Sequence, residues 1–183
     1  LWLFNTTDYQ RLKKHKSVRL LPGYGMGVDN RRFAKINTYR KQKTDIRKSL
    51  GISEDGLVFV FSGRLIQTKG ISNLIDGFNL ANQAFSNIYL LLVGEADPAH
   101  KNIEIESRAE IIHVGWQTNL QKYFAISDIY ITASHREAIS VGTMEALFCG
   151  LPVLAPPTKG ISELIDHKQN GFIVNDNRSK EIY

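Results

Sequence analysis

Two clusters in the sequence hold side chains suited to phosphate and hydroxyl chemistry. Arg64 and Lys69 stand in FSGRLIQTKG, and Glu137 and Glu145 in SHREAISVGTMEAL. Two cations, with Gly63 and Gly70 freeing the backbone beside them, suit a multiply charged anion such as a diphosphate. The GxxxxGK[ST] spacing of a Walker loop is missing, and a solvated basic loop is the plain alternative. If both glutamates were helical they would lie about 12 Å apart along the axis and about 80° around it. A glycosidase pair must approach to about 5–9.5 Å, so that pairing fits poorly unless a loop at Glu137 shortens the distance. Two grips on different hydroxyl-bearing parts of one elongated ligand fit better, with a helix N-terminus near Val141 facing its phosphates. Two surface glutamates remain the plain alternative.

The elements that must position these residues are legible from residue 57 onward. LVFVFSG, IYLLLVG, EIIHVGW, DIYITAS, LPVLAP and FIVN read as strands. Between them GISNLIDGFNLANQAF, NLQKYFAIS, VGTMEALFCG and ISELIDHKQNG read as helices, the last with Gly171 just past its end. In the first of these helices Ile71, Leu74, Ile75, Phe78, Ala81 and Phe85 share one side. Apolar strands alternating with helices predict a Rossmann-like, doubly wound parallel α/β sheet. Ligands bind such sheets at the carboxyl ends of the strands, which here lead into SGRLIQTKG, VGEADPAH, VGWQTN, SHREAISVG and PPTKGIS. The first 50 residues are less regular: TTDYQRLKKH suggests a capped helix, SVRLLPG a strand, and YRKQKTDIRKSLG a helix ended by Gly51. With no linker or repeat, residues 1–183 are expected to form one domain.

Composition sets outer bounds. Of the 183 residues 43% are hydrophobic and 22% charged, enough for an ordinary core. No apolar run approaches the roughly 20 residues that span a bilayer. The single cysteine, Cys149, leaves no internal disulfide or cysteine metal cluster to form, which points to a reducing, cytoplasmic setting. The net charge of +5 is uneven: residues 1–50 carry 13 Lys and Arg against three acids, the remainder ten against 15. The basic third reads as solvated helix faces, as a patch for an anionic membrane surface, or, less well, as a nucleic-acid site. Aromatics are not interleaved with its bases as stacking on nucleic acid would require.

GYGMGV, with Gly23, Gly25 and Gly27, departs from the GxGxxG dinucleotide spacing, and the following VDNRRF is a poor helix start. A turn that lets the backbone pass close to a ligand or another segment is the expectation.

GVDNRRF, GRLIQTKG, LLLVGEAD, IIHVGW, YFAISDIYITASHREAISVGTMEALFCGLPVLA and GISELIDHKQNGFIV occur in an order that resembles the family-four, or group 1, glycosyltransferases of the GT-B fold. The resemblance runs over essentially the whole chain and is to their C-terminal, nucleotide-sugar-binding domain. It implies an enzyme that transfers a hexosyl group from a UDP- or GDP-linked donor to a glycan or lipid-linked acceptor, as in bacterial surface polysaccharide synthesis. It further implies retention of configuration and independence of metal and cofactor, and no D-x-D stands in the chain. By the same likeness Arg64 and Lys69 hold the diphosphate and stabilise the leaving group, while Glu137 contacts the sugar and Glu145 the ribose. Backbone at Ile139, Ser140 and Val141 approaches the sugar or phosphate, and the Gly63, Gly94 and Gly115 loops border the rest of the donor, the last two its base. The acceptor would be met by an N-terminal domain outside this chain, without which the chain is expected to bind donor but not turn it over. The basic third would let the full enzyme sit at the inner face of an anionic membrane, with no nucleic-acid partner. Where the family commonly has E-G-F-G this chain has Glu137-Ala138-Ile139-Ser140. Cys149 is expected to pack, His113 to be structural, and His135 is a ligand candidate.

Overall fold

The computed structural model describes residues 2–3, 6–15, 17–20, 27–33, 35–96 and 108–174. Apolar β-branched and leucine runs form the six parallel strands of one sheet: β3 (Leu57–Ser62), β4 (Ile88–Val93), β5 (Ile111–His113), β6 (Ile129–Ile131), β7 (Val153–Ala155) and β8 (Gly171–Ile173). Their order is β5-β4-β3-β6-β7-β8. The chain winds outward from β3 to β5, then returns to start β6 against the other side of β3. That reversal opens a crevice between the loops after β3 and β6, where an open parallel sheet receives its ligand.

One face of the sheet is covered by α5 (Ile71–Ala84), which buries Ile71, Leu74 and Phe78 against Phe61, Leu90 and Leu92. The other is covered by α6 (Leu120–Ile126), α7 (Val141–Phe148) and α8 (Lys159–Ser162), and by elements from the first third. Phe33 stacks on Phe124 at 6.2 Å and Phe124 meets Tyr130 edge-on at 6.0 Å, so this core is aromatic at its centre.

The first third holds β1 (Trp2–Leu3), α1 (Thr6–Leu12), β2 (Arg19–Leu20), α2 (Asn30–Phe33), α3 (Ile36–Lys41) and α4 (Lys43–Ser49). β1 and β2 form a separate parallel pair that the sequence did not suggest. The single helix expected over residues 39–51 divides at Gln42, whose ψ of 12° serves both as the end of α3 and the start of α4. Gly51, at φ 73°, ends the second as expected. The first third is not a solvated basic surface throughout, because several of its cations point inward. Arg47 is 2% exposed, and its guanidinium donates to the carbonyls of Ile126, Glu54 and Gly56 and to Asp128 Oδ2 at 2.7–2.9 Å. Lys43 donates to Asp128 Oδ1 at 2.8 Å, and the Val58 N–H to its Oδ2 at 2.9 Å.

Further expectations are corrected. VDNRRF does begin a helical turn, because Asp29 Oδ1 accepts from the N–H groups of Arg31 and Arg32 at 2.9 and 3.3 Å. Phe85 follows the last residue of α5 in extended conformation and is 59% exposed, outside that helix's buried side. The helix expected over 161–171 stops at Ser162. Asn170 Oδ1 accepts from the Asp166 N–H and Asn170 Nδ2 donates to Leu164 O, a side-chain-closed turn that replaces helical bonds. Gly171 is no helix end: it opens β8, where a Cβ would stand 2.3 Å from Val153 O, so glycine is needed for strand approach. Gly27 meets nothing within 4 Å among the described residues, so no close approach to them occurs there; Gly23 and Gly25, like residues 97–100 of VGEADPAH and Asn175 of the last strand, lie outside the described residues.

Arg47→Ala is expected to destabilise the chain by about 3–5 kcal/mol, because it removes one partner of a buried pair and orphans three carbonyls. A urea midpoint unchanged from wild type would contradict this. Burial alone would raise the Asp128 carboxyl, but Lys43, the Val58 N–H and Arg47 outweigh it and hold it below its ordinary 3.8. A depressed folded value contributes stability that is complete above the unfolded value and lost as pH falls through the folded one. Asp128→Asn is therefore expected to lower stability at neutral pH and to flatten its dependence on pH below about 4, as read by denaturation across that range.

Candidate functional site

The loops after β3, β4 and β5 are laced by backbone. The Gly63 N–H donates to Val93 O at 3.0 Å and the Gly94 N–H to Gly115 O at 2.9 Å. At Gly94, with φ 150°, a Cβ would stand 1.8 Å from Gly63 O, so only glycine lets these two loops cross. His113 Nε2 donates to Gly94 O at 2.7 Å, which makes this histidine a prop for the loop. Arg64 follows directly, exposed and with no salt-bridge partner among the described residues. Lys69 closes a 3-10 turn, Gln67–Lys69, that the His135 N–H ties to the β6 loop through Thr68 O at 3.1 Å.

Glu137 lies across the crevice, in the loop before α7 and not in a helix. Its Oε1 accepts from Lys69 Nζ at 2.5 Å and from Ser134 Oγ at 3.0 Å. Ser134 is fully buried and shares a 3.1 Å hydroxyl contact with Thr132, so the carboxylate is fixed from below as well as by the lysine. α7 then starts at Val141, as the sequence suggests. Ser140 caps it, its Oγ accepting from Thr143 Oγ1 at 2.8 Å and from the Thr143 N–H at 3.4 Å. The lone pairs of that hydroxyl are therefore committed to the helix. Arg64, Lys69, Glu137, Ile139, Ser140 and Val141 all line one cavity of about 260 Å³.

A larger cavity of about 750 Å³ lies beside it, lined by Arg32, Glu95, Trp116 and Thr118 among others; Gly63 and Arg64 line both. Gly94 lines the larger cavity. Gly115 lines neither, and instead turns the β5 loop at φ 68° so that Trp116, 66% exposed, faces the space. Glu145, 8% exposed on α7, meets Arg32 Nη1 at 3.5 Å. Burial pushes its carboxyl above the ordinary value and Arg32 opposes the rise. Tyr130, buried below, has its phenol pushed up by the same loss of solvent. Cys149 is 4% exposed with its thiol pushed up to about 12 by burial, a packed and unreactive state. His135 borders a further cavity of about 540 Å³ with Arg136, Thr158 and Lys159, which shares Glu137 with the smaller one.

The sequence reading missed Arg32, Trp116 and Ser134. Trp116 was signalled by a large aromatic directly after a strand-end glycine. Ser134 was signalled by its place three residues before Glu137. Nothing local marks Arg32, which stands more than 100 positions from its partner.

Residues 42–183 match the family described as Glycosyl transferases group 1. The chain is 26% identical over 178 residues to N-acetyl-alpha-D-glucosaminyl L-malate synthase of Bacillus anthracis, covering 93% of this chain and 43% of that protein. It is 28% identical over 159 residues to lipopolysaccharide 1,2-N-acetylglucosaminetransferase of Salmonella typhimurium, covering 79% and 42%. In fold it resembles Anabaena Alr3699/HepE, solved in complex with UDP and glucose, with a TM-score of 0.76 at 21% identity over 99% of this chain and 50% of the other. The chain thus spans less than half the length of the curated relatives it matches.

Gly94→Ala is expected to cost more than about 1 kcal/mol, since the added methyl meets Gly63 O in a backbone region L-residues avoid. A variant with wild-type thermal stability would show that the two loops can part without cost.

Proposed function

The chain belongs to the group 1 glycosyl transferases, and from that membership we propose that residues 1–183 form one nucleotide-sugar-binding unit of a retaining, metal-independent hexosyltransferase. Its donor is a UDP- or GDP-linked sugar and its acceptor a glycan or lipid-linked sugar, met through an N-terminal domain of the same enzyme. Bacterial surface polysaccharide synthesis is the setting we favour. The observation that carries this reading is the meeting of Arg64, Lys69, Glu137 and the start of α7 around one cavity at the reversal of the sheet, beside a second cavity large enough for a nucleoside.

In this reading the diphosphate lies over Arg64 and Lys69 near the N–H groups of Ile139, Ser140 and Val141. The two cations stabilise the charge that gathers on the leaving diphosphate as the bond from sugar to phosphate breaks, the task a metal performs elsewhere. Glu137 accepts from sugar hydroxyls and Glu145 from the ribose. The base lies between the Gly94 and Gly115 loops, where the exposed ring of Trp116 offers a stacking surface. Ser140 offers its N–H and, since its Oγ only accepts within the cap, its O–H as donors to the ligand.

Arg64→Ala is expected to weaken the preferred donor about 10- to 100-fold, the loss of one or two charge-assisted hydrogen bonds. Calorimetric titration with UDP-, GDP- and ADP-sugars reads this and also identifies the base. Wild-type affinity in the variant would remove the central assignment. Donor binding without transfer by this chain, alongside transfer by the longer enzyme, would mark it as a binding module when isolated.

Among the described residues no helix is long and apolar enough to cross a membrane. The exposed cations Arg11, Lys13 and Lys14 of α1 and the turn after it support a peripheral contact with anionic lipid at the inner face of the cell membrane. Such contact predicts co-sedimentation with phosphatidylglycerol vesicles that weakens steeply between low and high salt. Binding equal to that on neutral vesicles would exclude it.

A further inference from the structure

We propose that Arg32 is a positioning residue for the donor's ribose, holding the Glu145 carboxylate in place from a segment outside the stretch that matches the family. The proposal rests on the reading of Glu145 as the ribose acceptor and goes beyond it by assigning the group that keeps this carboxylate fit to accept.

Three contacts fix the Arg32 guanidinium. Nη1 reaches Glu145 Oε1 at 3.5 Å, Nη2 donates to Thr118 O at 3.3 Å, and Cζ lies 5.6 Å from the Phe33 ring centroid. These partners come from α7, the loop before α6, and α2 itself. The base of α2 is equally constrained. Asp29 caps it, and Phe33, 1% exposed, stacks on Phe124 and meets Phe148 edge-on at 6.2 Å. Phe148 is one turn beyond Glu145 on α7, so the two helices are joined by a ring pair and an ion pair side by side. The guanidinium also lines the larger cavity, with its side chain 40% exposed toward it.

The chemistry follows from the burial of Glu145. A carboxylate deprived of solvent tends to take up a proton, and a protonated carboxyl loses part of its capacity to accept from two vicinal hydroxyls. Other titratable groups near Glu145 are the Tyr130 phenol from β6 and the thiol of Cys149, which caps α7, both neutral with values pushed upward. Arg40 of α3 faces Cys149 and donates to its carbonyl. Among the described residues Arg32 is the cation that pairs with Glu145. It engages Oε1, and no hydrogen bond from a described residue reaches Oε2.

The test uses the tightest-binding of UDP, GDP and ADP, together with its 2′,3′-dideoxy analogue, titrated into wild type, Arg32→Ala and Arg32→Lys. Arg32→Ala is expected to lose about tenfold in affinity for the ribonucleotide and less than about twofold for the analogue. Arg32→Lys, which keeps the charge but not the fork, should recover part of that loss. Because Arg32 opposes the burial that raises the Glu145 carboxyl, the ribonucleotide affinity of Arg32→Ala should also fall more than that of wild type as pH is lowered. Equal losses for both nucleotides would overturn the proposal and make Arg32 a phosphate contact or a structural residue, leaving the donor reading intact. No loss for either would overturn it as well. Wild type binding none of the three nucleotides would overturn the donor reading and this role with it.

Discussion

The arrangement depends on a buried guanidinium at the foot of the sheet. Arg47 joins α4 to the end of α6, to the turn before β3 and to the start of β6, with every hydrogen bond landing within a few residues of the two central strands. Burying a charge is costly, and this one is tolerated because carbonyls and Asp128 surround it. The same Asp128 accepts from the first inward N–H of β3. The relative height of β3 and β6 is therefore set at their amino ends, at the opposite pole from the cavities.

Stiff strands carry that setting upward. β3 and β6 are the neighbours between which the winding reverses, so the loops that leave them diverge and a crevice opens where backbone hydrogen bonding stops. One wall brings cations and the other brings carboxylates and a helix start. Lacing by Gly63, Gly94 and Thr68 keeps the walls from drifting, and Ser134 and Ser140 anchor the second wall through their hydroxyls. Charge of both signs is thus held on rigid supports, which is what the proposed transfer of a charged leaving group requires.

Legibility in the sequence tracked the range of the forces involved. β3 and β4 were plain because buried parallel strands leave unbroken apolar runs, and α5 because one side repeats at helical spacing. The loops carrying Arg64, Lys69, Glu137 and the start of α7 followed from strand ends alone. Failures occurred where two local forces compete. DHKQN has helical neighbours, yet Asp166 and Asn170 close their own turn, and Gly171, which looked like a helix stop, serves strand contact. Phe85 continued a helical count after the helix itself had ended. Arg32 and the β1–β2 pair depend on contacts distant in sequence, for which no local spacing exists.

The bond between Lys69 and Glu137 has a consequence for what the crevice attracts. Opposite charges 2.5 Å apart largely cancel at a distance, so the crevice shows an approaching anion chiefly Arg64, which has no salt-bridge partner among the described residues. On the proposed reading the lysine becomes available only when something else satisfies Glu137, and sugar hydroxyls do so. A ligand that brings phosphates and hydroxyls together exchanges both partners at once, whereas a bare phosphate must compete with a carboxylate already in place. On that reading the ion pair favours a ligand that carries both groups over simpler anions.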